Sequence, residues 1–216
     1  VTLNSGALLH VINNQATLQA GGIFLQDLNS NLEADEIGTT LLIKGNRAIH
    51  GGGIFASSEA SVLISTGALL GVMKNTATFA GGIYLTTKSF LSISGSRTKI
   101  LIEENTAAIS GGGVAAFSMS AVKVSSNAIM HVTNNRALGA GGGGLYFEGA
   151  LTRFDVVEST LLVEGNSAKT YGGGIGANSN AVMKLVSPRY VFFCDDLYTC
   201  LYNHLRFLIY LYFNVV

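Results

Sequence analysis

The feature that most limits the folds open to this chain is a motif that returns six times at a nearly constant interval. Each copy reads Asn-x-Ala, a short spacer, two to four glycines and an aliphatic residue. The copies begin at Asn14, Asn46, Asn75, Asn105, Asn135 and Asn166. Subtracting consecutive numbers gives spacings of 32, 29, 30, 30 and 31 residues. A fixed period of this size is typical of stacked repeats, in which each unit buries its apolar face against its neighbours.

The apolar residues around the motif predict strands. The positions three and five before every motif asparagine are aliphatic, as in Leu70 and Val72, so both side chains share one face of a strand. A second aliphatic pair lies in mid-repeat, as in Leu91 and Ile93, and a third strand leaves the glycines. We therefore predict an all-β fold, a right-handed single-stranded parallel β-helix (solenoid) of about six coils of ~30 residues. The handedness follows the general preference for right-handed parallel crossovers.

The glycines and asparagines have structural roles in such a fold. Glycine permits positive φ and lets the chain turn where a side chain would collide with the next coil. Asparagine at one position per coil predicts a ladder whose amides bond backbone groups of neighbouring coils. Two repeats depart from the pattern in mid-repeat: the fifth slips by one residue, to Phe154 and Val156, and the first is irregular around Leu32.

The composition divides the chain into a repeat region, residues 1–187, and an atypical hydrophobic tail, residues 188–216. The tail holds the only proline, both cysteines and five of the eight tyrosines. Three interpretations of it stay open: a gene-model or reading-frame artefact, a terminal cap, and a membrane anchor of about 20 residues interrupted by Arg206. Because the chain begins in mid-repeat, we expect the repeat region to be a fragment of a longer solenoid, with any targeting signal upstream.

Charge and motif searches indicate no nucleic-acid, cofactor or metal site. The chain has 13 basic and 13 acidic residues and no basic cluster, which disfavours nucleic-acid binding. The stretch Gly139-x-Gly141-x-x-Gly144 satisfies a dinucleotide-binding pattern, but a predicted strand follows it where the pattern requires a helix. Three of the four histidines are scattered among the repeats, and His204 lies in the tail. We predict no bound cofactor and no metal ligands.

A catalytic constellation is not evident either. Neighbouring residues of a strand point to opposite faces, so Glu103 and Glu104 are poorly placed as an acid/base couple. The charged members of the outward column two before the asparagine are Lys44, Glu103 and Glu164. We predict no catalytic residues and no enzyme activity. The alternative is a polysaccharide-active β-helix enzyme, a lyase or a hydrolase, which needs several charged side chains from neighbouring coils on one face.

One outward column is aromatic. Directly after the post-glycine aliphatic residue stand four rings, at Phe24, Phe55, Tyr84 and Tyr146, with Ala115 between the last two. Stacked rings can shield a sheet and fix its register, and they can also bind a sugar or a protein. We predict a row on one outer face, in which Ala115 separates Tyr146 from the other three, and take these four residues as the candidate partner-binding site.

The repeats resemble those of the chlamydial-type polymorphic outer membrane proteins. The motif here is [Val/Ile]-x-x-Asn-x-Ala followed by Gly-Gly-[Gly]-[Ile/Val/Leu]-[aromatic], and the family pairs Phe-x-x-Asn with Gly-Gly-Ala-Ile. In this chain Val or Ile stands at the family's Phe position in all six copies, and glycine often replaces the alanine. The resemblance covers nearly all of residues 1–187, and the six motif asparagines match the family asparagine.

The resemblance implies a function as well as a fold. Such proteins are exported and displayed at the cell surface, so we expect a non-enzymatic, adhesin-like module at the outer membrane or in the extracellular space. Its expected partner is a protein or glycan of a host or neighbouring cell. Membrane association is expected to come from parts of a full-length protein outside this region, and the family contributes no catalytic residues.

Overall fold

The fold is a stack of parallel β-coils. A computed structural model describes residues 1–139, 141–186 and the backbone of 210–212, so the three interpretations of the tail fall largely on residues outside the described part. The strands of successive coils pair in parallel and form a β-solenoid of about six turns. Within the described residues there is no helix, and therefore none long and apolar enough to cross a membrane. The all-β stacked-coil fold predicted from the motif is confirmed.

Four parallel sheets run along the solenoid axis. The mid-repeat sheet consists of Thr2–Leu3, Asn31–Ala34, Ser61–Ile64, Phe90–Ser94, Ala121–Ser125, Arg153–Val157, Val182–Val186 and Tyr210–Tyr212. The pre-asparagine sheet consists of Leu8–Ile12, Thr40–Lys44, Leu69–Met73, Lys99–Glu103, Ile129–Thr133 and Thr160–Glu164. The glycine-exit sheet consists of Ile23–Gln26, Ile54–Ser57, Ile83–Leu85, Val114–Phe117, Leu145–Glu148 and Ile175–Asn178. The corner sheet consists of Thr76–Phe79, Thr106–Ser110, Arg136–Ala137 and Ser167–Ala168.

The corner sheet is a difference from the sequence prediction of three strands per coil. Its strands begin directly after the motif asparagine and have only two to five residues. Isolated parallel bridges at Arg47 and Gln15 carry the same pairing into the first two coils. Strands this short do not extend far enough to show an apolar alternation along the sequence.

The aliphatic pairs form the core as predicted. In register, Leu70 and Val72 lie between the pairs of the coils on either side, and both are fully buried. The mid-repeat pairs, such as Leu91 and Ile93, face them across the interior and are equally buried. In the first coil the corresponding residues, Leu9 and Val11, are only partly buried, because the described residues cover them on one side only.

The two mid-repeat departures are absorbed without loss of register. Leu32 pairs with Val62 and is fully buried, so the strand expected to be irregular is regular in the structure. In the fifth repeat the extra residue lies in the turn before the strand, where Leu151 adopts a φ of 67° and is 66% exposed. Phe154 is then fully buried in register with the neighbouring pairs.

The predicted asparagine ladder is present and is illustrated by Asn105. Its Oδ1 accepts hydrogen bonds from the backbone N–H and Nδ2 of Asn75 at 2.9 and 3.0 Å. Its Nδ2 donates to the Val72 carbonyl at 2.8 Å and to Asn135 Oδ1 at 2.9 Å. Equivalent bonds join the motif asparagines of all six coils. Since the inner members are buried, each amide satisfies groups that water cannot reach.

The glycine clusters serve two separate geometric needs. The first corner position has positive φ, 62° at Gly51, and alanine takes it with a φ of 51° at Ala80. The next two glycines have no such backbone requirement, but they lie against the following coil. A Cβ built at Gly53 would stand 2.7 Å from the Gly82 carbonyl oxygen, which is closer than real Cβ atoms come. The predicted roles of glycine are therefore both present, at different positions.

Candidate functional site

The candidate site lies on the outer face of the glycine-exit sheet. Phe24 pairs with Phe55, and Phe55 with Tyr84, so the three rings occupy one column. Ala115 and Tyr146 continue the same column in the next two coils. The inward neighbours of these residues, such as Ile83 and Leu85, are fully buried in the core. Alternation along the strands therefore places the rings outside, as predicted.

The ring spacing corrects one part of the sequence prediction. Phe24 and Phe55 stack with centroids 5.4 Å apart, and Phe55 and Tyr84 stack at 5.3 Å. At Ala115 the column lacks a ring, and Phe117, two residues further along the same strand, fills the gap. Its centroid lies 5.2 Å from Tyr84 and 5.8 Å from Tyr146.

Five rings thus form one continuous set, which we call the aromatic row. Its members are Phe24, Phe55, Tyr84, Phe117 and Tyr146. Within the column Ala115 does separate Tyr146 from the other three rings, as expected, but Phe117 connects them, which was not predicted. The prediction compared one position per repeat, and the missing ring comes from two positions away on the same face of the strand.

The corner of each coil covers part of the row. His50 and Phe79 immediately precede the first corner position, and their rings stack with centroids 5.3 Å apart. His50 also contacts Tyr84 edge-to-face at 5.3 Å. Burial lowers the pKa of His50, and its Nδ1 has no hydrogen-bond partner in the structure. Phe55, stacked between Phe24 and Tyr84, is only 4% exposed.

The stacking geometry decides which parts of the row can meet a ligand. Interplanar angles of 8° and 6° mean that Phe24, Phe55 and Tyr84 cover each other's faces. A sugar that stacks on an aromatic side chain needs a free ring face, and the inner rings offer edges instead. Phe24 is 46% exposed, the largest exposed fraction among the five rings.

Two tyrosine hydroxyls add polarity to the row. The Tyr146 hydroxyl donates to the Glu148 carboxylate at 2.9 Å. Burial, followed by this carboxylate, raises the pKa of Tyr146 to about 12. Burial also raises the pKa of Tyr84, with a smaller effect from the charge of Glu148. Both groups are therefore neutral hydroxyls at physiological pH and can exchange hydrogen bonds with a ligand.

The other charged candidates lie apart from the aromatic row. Glu103 ends a pre-asparagine strand, whereas Glu104 lies in the following turn with a φ of 54° and pairs with Lys74 at 3.4 Å. The two glutamates are thus separated by the turn rather than by the alternation of one strand. His10 and His131 occupy outward positions of the pre-asparagine sheet. Among the described residues no group of three or more His, Cys, Asp or Glu side chains is arranged to hold a metal ion.

Lys44, Glu103 and Glu164 lie in one outward column, in the order expected from the sequence. Met73 stands between Lys44 and Glu103, and Thr133 stands between Glu103 and Glu164. Each charged pair is therefore separated by two coil steps, or about 10 Å of sheet.

Comparison of this chain with profiles of protein families, with characterised proteins and with solved structures finds no match. The description of the site therefore depends on the geometry of the chain itself.

Proposed function

We propose that this chain is a non-enzymatic, adhesin-like β-solenoid module of a cell-surface or secreted protein. In this proposal it presents an extended outer face to a protein or glycan of a host or neighbouring cell. The observation that carries the proposal is the aromatic row, which runs unbroken across five coils. Four steps of about 4.8 Å give it a length of about 19 Å.

The row suits an elongated partner held by contacts that repeat along the solenoid axis. Its rings are fixed by stacking and by the sheet beneath, so little side-chain freedom is lost on binding. Ring edges supply apolar area, and the hydroxyls of Tyr84 and Tyr146 supply polar contacts. The resemblance of the repeats to polymorphic outer membrane proteins supports export and surface display.

The first test removes the polar contacts while keeping the rings. In the Tyr84→Phe/Tyr146→Phe variant, we expect weaker binding to a printed glycan array or weaker adhesion of protein-coated beads to cells. The thermal midpoint should stay close to that of the wild type. Unchanged binding and adhesion in this variant would count against the row as the contact surface.

The second test uses a matched pair of exposed phenylalanines. Phe24 is 46% exposed at the end of the row, and Phe90 is 40% exposed on the mid-repeat sheet. We expect Phe24→Ser to reduce binding and Phe90→Ser to leave it unchanged. Equal losses in the two variants would show that general surface hydrophobicity, and not the row, causes adhesion.

A direct assay separates this proposal from the polysaccharide-active alternative. The chain is incubated with pectin and with alginate, and the release of reducing ends or unsaturated products is followed. We expect no product above a heat-denatured control. Turnover that survives purification to homogeneity would replace the adhesin proposal with an enzymatic one.

A further inference from the structure

A groove on the corner sheet is lined by two cations, Arg136 and Lys169, in contrast to the aromatic row. It lies along the seam between the fifth and sixth coils and encloses about 230 Å³. Its lining residues are Arg136, Ala137, Leu138, Ser167, Ala168 and Lys169. We propose that this groove binds the carboxylate or sulfate group of an acidic saccharide.

The groove exists because the corner strands are shortest here. The strands Thr76–Phe79 and Thr106–Ser110 extend over four and five residues, whereas Arg136–Ala137 and Ser167–Ala168 have two each. Pairing between the fifth and sixth coils therefore ends at the alanines. One further backbone bond follows, from the Lys169 N–H to the Ala137 carbonyl at 3.2 Å, and the groove lies beside this end of the pairing.

Two cations line the groove, and neither has an acidic partner within the described part of the chain. Arg136 and Lys169 come from neighbouring coils, and both side chains are exposed. The ion pairs found among the described residues join Lys74 to Glu104, Lys88 to Glu59 and Arg153 to Asp155. None of them involves a groove residue. An anion bound in the groove gains charge-assisted hydrogen bonds from these cations.

The remaining lining residues favour a saccharide as the carrier of the anion. Ser167 lies directly opposite Arg136 in the pairing register and offers a hydroxyl. Leu138 is 45% exposed and provides apolar surface for the C–H face of a sugar ring. The enclosed volume is below the range of about 300–1,000 Å³ typical of drug-sized ligands, which suits a single ring.

An acidic peptide fits this seam less well. Peptides that add to a sheet need an open strand edge, and along the seam the two strands already pair with each other. A general attraction for polyanions is also not expected, because the net charge of the chain is zero. Selectivity must therefore come from the local pair of cations.

The experiment compares two double variants that remove the same charge. Arg136→Gln/Lys169→Gln neutralises the groove. Lys44→Gln/Arg47→Gln neutralises two exposed cations of the second coil, where Arg47 directly follows its motif asparagine as Arg136 does. Binding is measured by calorimetry at physiological ionic strength with oligogalacturonate, low-mass dextran sulfate, neutral dextran and poly-glutamate.

We expect the wild type to bind at least one acidic saccharide and not neutral dextran. The groove variant should bind at least about tenfold more weakly, as the loss of charge-assisted bonds predicts, while the second-coil variant stays within about twofold. The conservative exchange Arg136→Lys/Lys169→Arg should retain binding, which separates loss of the site from loss of the fold. The Tyr84→Phe/Tyr146→Phe variant should also retain it, so the groove and the aromatic row are tested independently.

Three results would overturn the proposal. The first is no binding of either acidic saccharide by the wild type, and the second is an equal loss in both charge-matched variants. The third is tighter binding of poly-glutamate than of the saccharides, which would assign the groove to an acidic peptide.

Discussion

Replacement of Asn105 by alanine tests the asparagine ladder at its most buried point. The Asn105 side chain accepts two hydrogen bonds from Asn75 and donates one to Val72 and one to Asn135. Asn105→Ala removes all four and leaves the buried backbone N–H of Asn75 without its acceptor. At about 1 kcal/mol for each net hydrogen bond, we expect a loss of about 4 kcal/mol in the free energy of unfolding.

The end of the ladder provides the matched control. Asn14 is exposed, and its side chain makes one ladder bond, from Nδ2 to Asn46 Oδ1 at 3.0 Å. The backbone N–H of residue 14 also donates to Asn46 Oδ1, at 2.8 Å, and this hydrogen bond remains when the Asn14 side chain is truncated. Asn14→Ala should therefore cost about 0.5–1 kcal/mol.

Urea denaturation followed by circular dichroism measures both free energies of unfolding. The comparison requires that the free energy of unfolding depends on urea concentration with the same slope in the two variants and the wild type. A loss of about 4 kcal/mol is a large fraction of the stability of an ordinary domain. If Asn105→Ala costs no more than Asn14→Ala, the ladder does not stabilise the solenoid and the reasoning is refuted.

Three further perturbations test the core, the corner and the aromatic row. Val132→Asp places an unpaired charge in the fully buried core and should lower the free energy of unfolding by more than about 4 kcal/mol. Unfolding like that of the wild type would contradict the placement of the Val132 side chain in the core. Gly53→Ala should be strongly destabilising, because the new Cβ meets a backbone carbonyl oxygen at 2.7 Å. In Gly71→Ala the new Cβ meets a side-chain methyl at 3.2 Å, so the free energy of unfolding should change by less than about 1 kcal/mol. Equal losses in the two variants, measured by urea denaturation, would contradict this reasoning. The pKa of Tyr146 is raised to about 12 in the folded state, so its contribution to stability is complete below the unfolded value of about 10 and is lost as pH rises from about 10 through 12. In denaturation measured across this pH range, Tyr146→Phe should lose less stability than the wild type. If the free energies of unfolding of the two proteins fall in parallel with pH, the raised pKa of Tyr146 is refuted.

The motif spacing is sufficient to predict the strands of the solenoid, because each buried column repeats one residue type. Positions such as Val72 and Ile102 are aliphatic in every coil and fully buried in the inner ones. The ladder is predictable for the same reason, since the asparagine is invariant among the six coils. Identity at one position per repeat shows which residues stack, and parallel pairing then gives their register.

The features that the sequence did not predict depend on contacts between different positions of the repeat. Phe117 completes the aromatic row from two residues beyond the column, where the other coils have no ring. The corner sheet has strands of two to five residues, too short for a periodic signal. The groove at Arg136 and Lys169 depends on where these strands end, which the sequence does not mark.

The residue directly before each ladder asparagine shows how the fold accommodates an unfavourable backbone conformation. All six have positive φ, between 54° and 68°. These residues are Asn13, Gly45, Lys74, Glu104, Asn134 and Gly165. For lysine and glutamate this conformation costs roughly 1–2 kcal/mol. At Lys74 and Glu104 it is retained in consecutive coils, and their side chains pair at 3.4 Å while both remain about half exposed.

That ion pair is too exposed to offset the cost of the turn, since such pairs contribute at most about 1 kcal/mol. The buried ladder bonds of the next residue are the stronger source of stability. The backbone N–H of Asn75 is directed at Asn105 Oδ1 at 2.9 Å rather than at a backbone carbonyl of the neighbouring coil. A turn that orients this N–H toward an amide oxygen requires an asparagine at the same place in the next coil. This coupling gives a physical reason why the asparagine is invariant while the residue before it varies between asparagine, glycine, lysine and glutamate.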